Sequence, residues 1–420
     1  MDRQLKDSEV NWIGEIPVNW NLIKVKRKFR TYKEVARENS EKYERLALTL
    51  NGVIKRSKED NKGLQPEKFD GYQILRQGEL IFKLIDLENV RTSRVGFSPY
   101  EGIVSPAYIK LNNQVESKYG YYFFLSMWHH EVFNGLGGDG VRSNLNSTDL
   151  LNLPYLEVPD EEKQRITNFL GQKTAHIDAI IADTKQSILE IRKYKRSLIT
   201  ETVLKGVNSK VEMKNSGIEW IGEIPGNWHI AKTKYIFFIK KNIANEEGHN
   251  ILSVTQQGLK IKDISKNEGQ MAADYSKYQL VNVGDFVMNH MDLLTGWVDE
   301  SKFEGVTSPD YRVFRFINNL DYSSEYYRYI FQMCYFNKIY YGLGQGISNL
   351  GRWRLQTDKF MNFVLPIPPL LEQHNIVLAL NEKCAQIDSL IKQKQQLLIE
   401  LETYKKSLIY EYVTGKKEVL

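Results

Sequence analysis

Cysteine is nearly absent from this 420-residue chain: Cys334 and Cys384 alone cannot build a disulfide framework or a thiolate metal cluster. No apolar run reaches membrane-spanning length, and the opening MDRQLKDSEVNW lacks the hydrophobic core of a signal peptide. A cytoplasmic protein with no membrane partner is therefore expected. Neither charge sign dominates. The 57 Lys and Arg against 52 Asp and Glu leave a formal net charge of +5, too mild to demand a nucleic-acid partner by itself. The charge is uneven, however: Asn21 to Arg37 holds seven basic residues and one acid, Glu34. That stretch is either a solvated face or a phosphate contact.

Catalytic signatures are lacking too. There is no G-x-x-x-x-G-K-[ST] loop, so no ATPase site is expected. Gly135, Gly137 and Gly140 fit G-x-G-x-x-G, but no acidic β-α-β context follows and the second copy of the loop breaks the spacing. Asn152-Leu153-Pro154-Tyr155 lacks the first proline of the [DN]-P-P-[YFW] loop with which amino-methyltransferases hold a flipped base. Pro159-Asp160 and Asp183-Thr184-Lys185 mimic a metal-nuclease string, yet on one helix they stand ~35 Å apart, too far to share an ion. The seven histidines, including His129, His130 and His374, show no ligand spacing. No catalytic residue, resident cofactor or metal is expected in this chain.

What the chain does have is itself, twice. KDSEVNWIGEIPVNW at Lys6–Trp20 returns as KNSGIEWIGEIPGNW at Lys214–Trp228, identical at ten of fifteen positions. ERLALTLNGVIKR around Gly52 matches NILSVTQQGLKIK around Gly258, and EGIVSPAY ending at Tyr108 matches EGVTSPDY ending at Tyr311. YQILRQGELIFKLIDL from Tyr72 parallels YQLVNVGDFVMNHMDL from Tyr278, and NGLGGDGVRSNL parallels YGLGQGISNL. Each half closes on YK[RK]SLI, at Tyr194 and Tyr404. The interiors of these units differ more than their ends, which suggests one scaffold carrying two different readers.

The fold class that follows is α+β. GELIFKLI and GDFVMNHM, bounded by glycine and proline, read as strands, and Tyr119–Phe133 and Glu325–Tyr341 read as aromatic helices. Trp12, Trp20, Trp220 and Trp228 read as scaffold core. Proline clusters then give way to stretches without proline, which read as long helices. The expected organisation is a first globular domain at 1–158, its helix at 159–205, a linker at 206–214, a second domain at 215–369, its helix at 370–414 and a tail at 415–420.

In the first helix Ile177, Ile181, Thr184, Ile188, Ile191, Lys195 and Leu198 keep coiled-coil spacing. Ile387, Ile391, Lys394, Leu398, Leu401, Lys405 and Leu408 repeat it 210 residues later. The linker reaches at most ~30 Å whereas the helix spans ~67 Å, so the second domain starts near the far end of the first helix and an antiparallel pair is expected. A parallel pair would set Lys195 against Lys405 in the seam.

With the duplication, the paired WIGEIP and YK[RK]SLI motifs, LPIPPLLEQ at Leu365–Gln373 and the weaker copy LPYLEVPDEEKQ at Leu153–Gln164, the chain resembles the specificity subunits of Type I restriction-modification systems over essentially its whole length. The resemblance implies two target-recognition domains, each reading half of a bipartite site in double-stranded DNA, joined by an antiparallel coiled coil. It further implies two methyltransferase subunits as partners, with S-adenosylmethionine bound there, and restriction subunits with ATP and Mg. The first proline-Gln copy departs from the usual spacing, which puts its local geometry in question.

Base readout uses Arg, Lys, Asn and Gln, so matched loops nominate Lys55, Arg56, Lys58, Lys83, Arg91, Arg94, Arg142 and Asn144 in the first domain. In the second they nominate Lys260, Lys262, Asn289, His290, Gln345, Asn349, Arg352 and Arg354. Two other functions stay open at this point: a stand-alone, pseudo-dimeric repressor-like protein, and a coiled-coil scaffold with no DNA role. No helix-turn-helix pattern supports the former.

Overall fold

The computed structural model describes residues 3–60, 66, 68–85, 87, 94–113, 115–136, 144–263, 272–318, 320–345 and 353–419. Two compact units emerge, Met1–Lys185 with Gln395–Leu420, and Gln186–Lys394. The division falls inside both long helices, Asp160–Lys205 and Leu370–Val413. Each unit thus consists of a globular head with a portion of each helix. Among the described residues no helix is long and apolar enough to cross a membrane.

Both helices start where chemistry favours a start. Pro159 and Pro369 precede them, and Asp160, Glu161 and Glu162 in one, Glu372 in the other, face the positive end of the helix dipole. Each ends at a glycine with left-handed backbone, Gly206 (φ +75°) and Gly415 (φ +72°). Space as well as φ demands glycine at Gly415, whereas the neighbour of Gly206 is the end of a flexible side chain. A Cβ on Gly206 would stand 2.7 Å from Glu372 Oε1, and one on Gly415 would stand 2.5 Å from the Pro17 ring.

In the first unit the head's sheet orders Ile109–Leu111, Leu80–Phe82 and Val95–Phe97, all antiparallel. The helix Ser117–His129 packs its aromatic side chains on that sheet, with Phe29, Phe82, Phe123, Phe124 and Tyr155 in edge and stacked contacts. The same core takes in Ile166 and Leu170 of one long helix and Leu408, Ile409 and Val413 of the other. Tyr119 completes the join, its hydroxyl donating to the Val413 carbonyl at 2.7 Å.

The second unit repeats the plan with a fourth strand. Its sheet orders Phe237–Lys240, Arg312–Phe316, Phe286–Met288 and Val298–Glu300. The Phe237, Phe286, Phe314 and Phe331 rings form its centre, and Tyr326 donates to the Val203 carbonyl at 2.9 Å, the counterpart of Tyr119. The aromatic helices are shorter than the residue pattern predicts. The first stops at His129, with Glu131 left-handed. The second breaks into Ser324–Phe336 and Ile339–Leu343 at Lys338, also left-handed (φ +59°). A single left-handed residue redirects the chain, which hydrophobic spacing alone does not reveal.

Within each unit the long helices run antiparallel. In the first, Phe169 packs on Tyr412, Asp178 pairs with Lys405 at 2.6 Å and Lys185 meets Glu402 at 4.0 Å, so numbers rise on one helix as they fall on the other. Ile177, Ile181, Thr184 and Leu408 are buried there, while Leu398 and Leu401 are half-buried. In the second unit Lys195 pairs with Asp388 at 2.7 Å; Ile188 and Ile391 are buried, and Ile191, Leu198, Ile387 and Lys394 are half-buried. Lys195 and Lys405 of the heptad pattern are thereby each matched to an aspartate.

The expected local departure at LPYLEVPDEEKQ is a substitution. Pro154–Glu157 pairs with Asn21–Lys24 in the register that Val364–Ile367 keeps with His229–Lys232. Lys163 then occupies the place of Gln373. Gln373 accepts from the Ser323 backbone at 2.8 Å, and Lys163 instead pairs with Glu116 at 2.5 Å. Both partners are buried, so the charge is matched in place of a neutral hydrogen bond.

Candidate nucleic-acid interface

In each head two loops from different parts of the sequence meet at one edge. Leu145 N–H donates to the Leu84 carbonyl at 2.9 Å, tying the chain after the glycine-rich segment to the loop between Leu80–Phe82 and Val95–Phe97. In the second head Leu355 donates to His290 at 3.0 Å and Leu293 to Trp353 at 3.1 Å, making the same junction. The loop there is firmly built. Asp292 Oδ1 accepts from the Leu294 and Thr295 backbone at 3.0 Å each, and a Cβ on Gly296 would stand 2.1 Å from the Asp292 carbonyl.

The nominated residues divide on this frame. Asn144 is exposed beside the first junction, and Gln345 and Arg354 are exposed and bridged to each other through their backbones at the second. Asn289 is half-buried, its carbonyl accepting from the Tyr335 hydroxyl at 2.8 Å. Lys83 is half-buried, with its backbone bonded to Arg94. Arg91, Arg142, Asn349 and Arg352 lie outside the described residues.

Two nominations need correction. Arg94 is 1% exposed and turns inward, donating to the Ile85 carbonyl at 3.0 Å. His290 is 6% exposed, and burial, reinforced by Arg312 and Arg354, lowers its pKa to about 3. Neither side chain presents itself to a base edge. Arg94 is a pin for the loop, because the turn's carbonyls need donors once they are removed from water. Arg312 serves likewise in the second head. It is 3% exposed, donates to the Leu355 carbonyl at 3.0 Å and lies over the Phe360 ring. Nothing in the sequence marks that arginine, since it opens a strand and not a matched loop.

The basic residues after each hairpin glycine are largely engaged on the surface. Lys55 lies 3.9 Å from Glu44, Arg56 pairs with Asp60 at 2.8 Å and Lys58 with Glu41 at 3.1 Å. Lys260 donates to Gln257 at 2.6 Å, and the half-buried Lys262 bonds Ile251 through its backbone. The hairpin tips themselves, Leu50-Asn51 and Gln256-Gln257, are exposed as well.

In the first unit a depression of about 960 Å³ brings the tip residues Leu50 and Asn51 and the pinned Arg94 together with Trp128, Lys185, Lys405 and Lys406. His129, in the same wall, is held neutral to about pH 3 by burial and by Lys406 and Lys405. Of the basic Asn21–Arg37 stretch, Lys24, Lys26 and Arg27 line a shallower hollow with Asn152, which Lys26 bonds at 3.0 Å, and Lys28 pairs with Glu157 at 2.8 Å. That contact raises the Lys28 pKa and lowers that of Glu157.

The strings that imitate catalytic motifs have structural occupations. Tyr155 is fully buried and donates to Glu116, Asp160 pairs with Lys163, and Thr184 is buried among the helices. Trp20 and Trp228 are fully buried core residues. Among the described residues no group of three or more His, Cys, Asp or Glu could hold a metal ion.

No protein-family model matches the chain. It is 26% identical over 338 residues to the Type I restriction enzyme MjaVIII specificity subunit of Methanocaldococcus jannaschii, covering 76% of this chain and 75% of that one. Among solved structures, a chain from work on complex assembly and conformational transition of the type I R-M system superposes with a TM-score of 0.68 at 11% identity, covering 96% of this chain and 99% of that one. The HsdS subunit from Thermoanaerobacter tengcongensis superposes with a TM-score of 0.50 at 11% identity, over 96% and 98% of the two chains. At those identities the structural likeness establishes the shared fold.

Proposed function

We infer that this chain is a specificity subunit of a Type I restriction-modification enzyme. Each head reads one half of a bipartite site in double-stranded DNA. The long helices pair as an antiparallel coiled coil that sets the distance between readers and docks two methyltransferase subunits. S-adenosylmethionine belongs to those partners, ATP and Mg to the restriction subunits, and the chain itself performs no chemistry.

The observation that carries this reading is duplication with divergent content. The WIGEIP strands, the buried tryptophans and the helix-terminal glycines recur in both units, while the loops at the reading edge differ in sequence. A protein reading one symmetric site has no use for two different edges. The Asp178–Lys405 and Lys195–Asp388 pairs support antiparallel helices.

Binding and methylation assays on the purified chain, with and without its methyltransferase subunit and S-adenosylmethionine, test the proposal. Methyl transfer to a two-part site only in the combined mixture is the expected result. Tight specific binding by the chain alone, unaltered by the partner, would favour the repressor-like reading. Failure to bind DNA under either condition would favour a scaffold.

A further inference from the structure

The two heads build one hairpin turn on a common frame and fill it with different side chains. In the first, Leu46–Thr49 pairs with Gly52–Lys55, Thr49 Oγ1 donates to the Gly52 carbonyl at 3.1 Å and accepts from Asn51 N–H at 3.1 Å. In the second, Leu252–Thr255 pairs with Gly258–Ile261, Thr255 Oγ1 donates to Gly258 at 2.8 Å and accepts from Gln257 N–H at 3.2 Å. Gly52 (φ +85°) and Gly258 (φ +106°) close the turns in a conformation that favours glycine. Leu48 and Val53, and Val254 and Leu259, anchor the hairpins below. Between these matched parts stand Leu50-Asn51 in one head and Gln256-Gln257 in the other, all exposed, Leu50 at 60%.

Two neighbours make the tips more than solvated turns. Gln256 Nε2 donates to the Thr295 carbonyl at 3.4 Å, which sets the hairpin beside the reading loop. Leu50 and Asn51 share their depression with Lys406, a cation of the kind that holds phosphates while other groups read bases, beside the Lys185–Glu402 and Lys405–Asp178 pairs. A two-stranded ribbon fits the major groove, where Asn and Gln amides pair with adenine N6 and N7 and apolar groups meet the thymine methyl. We propose that Leu50-Asn51 and Gln256-Gln257 are the specificity-determining pairs of their heads, each entering the major groove of its half-site. The proposal rests on the DNA-recognition reading above.

The test uses the full chain in complex with its methyltransferase subunit, read by genome-wide methylation mapping and by competition binding on duplexes with single base changes. Q256A/Q257A should relax one or two base pairs of one half-site, discrimination falling about 5- to 150-fold at each. L50A/N51A should do the same in the other half-site only. Q256L/Q257N, which gives the second head the first head's tip, should change the preferred base. The tips are exposed, so melting temperature should stay at the wild-type value, and that control separates misfolding from altered reading. Variants that keep both half-sites at wild-type discrimination would overturn the proposal. So would an equal loss of affinity for every sequence, which marks a phosphate contact. A wild-type complex without sequence-specific binding would instead overturn the underlying reading.

Discussion

The indole N–H of Trp20 donates to Glu162 Oε2 at 2.9 Å, and Trp228 donates to Glu372 Oε2 at the same distance in the second unit. Each tryptophan follows a WIGEIP strand and each glutamate opens a long helix, so one hydrogen bond fastens head to helix twice. Both indoles are fully buried, and removing the acceptor leaves a donor with no water to turn to. Glu372→Ala should destabilise the second unit by about 1–3 kcal/mol. Glu372→Gln, which keeps an acceptor oxygen, should recover most of that. Hydrogen exchange resolved along the chain checks both magnitude and place.

The end of the chain belongs to the core of its beginning. Leu408, Ile409 and Val413 lie in the cluster of Trp20 and Tyr119, and Lys416 donates to the Ile13 and Glu15 carbonyls at 2.7 and 2.9 Å. Burying each of three such side chains contributes about 1.5–3 kcal/mol, comparable in sum to the stability of a whole domain. Truncation after Lys406 should therefore unfold the first head and leave the second protected. Limited proteolysis followed by mass mapping distinguishes that outcome from uniform loss.

The helix ion pairs are specific but weak. Asp388 and Asp178 are more than half exposed at their side chains, so each pair contributes only about 0.2–1 kcal/mol. Lys195→Asp alone should lower stability, and adding Asp388→Lys should restore it. A double-mutant cycle by denaturant unfolding measures the coupling directly.

Acid should weaken the second head. Burial, with Arg312 and Arg354 adding to it, holds His290 neutral down to about pH 3, whereas the ordinary value is 6.5. The unfolded chain takes up a proton that the folded head refuses, so this contribution is complete above pH 6.5 and is lost as pH falls toward 3. His290→Asn should flatten that dependence, which melting curves at about pH 7.5 and about pH 5 would reveal.

Sequence and structure part company in an instructive way. The duplication, the α+β composition and the helical stretches were legible because hydrophobic spacing and proline placement are local and periodic. The heptad lysines Lys195 and Lys405 were legible as a problem, and the partners Asp388 and Asp178 became visible only in space. The shifted look of the first proline-Gln element hid the swap of Gln373 for Lys163, because its compensation, Glu116 for Ser323, lies far away in sequence. The edge where the two loops meet was legible as loops and not as side chains. An arginine in a loop can face water or donate inward to carbonyls, and Arg94 takes the second course while Arg312 reaches the same duty from the start of a strand.

If one chain reads two different half-sites for a catalytic partner, the pattern of modified bases must show both. Co-expressing it with its methyltransferase subunit in a methylation-free host and mapping every modified base tests that most directly. The expected result is one asymmetric motif, two defined half-sites flanking a gap of fixed length and indifferent sequence, with no methylation when either chain is expressed alone. Methylation by the chain without its partner, or a single uninterrupted motif, would contradict it.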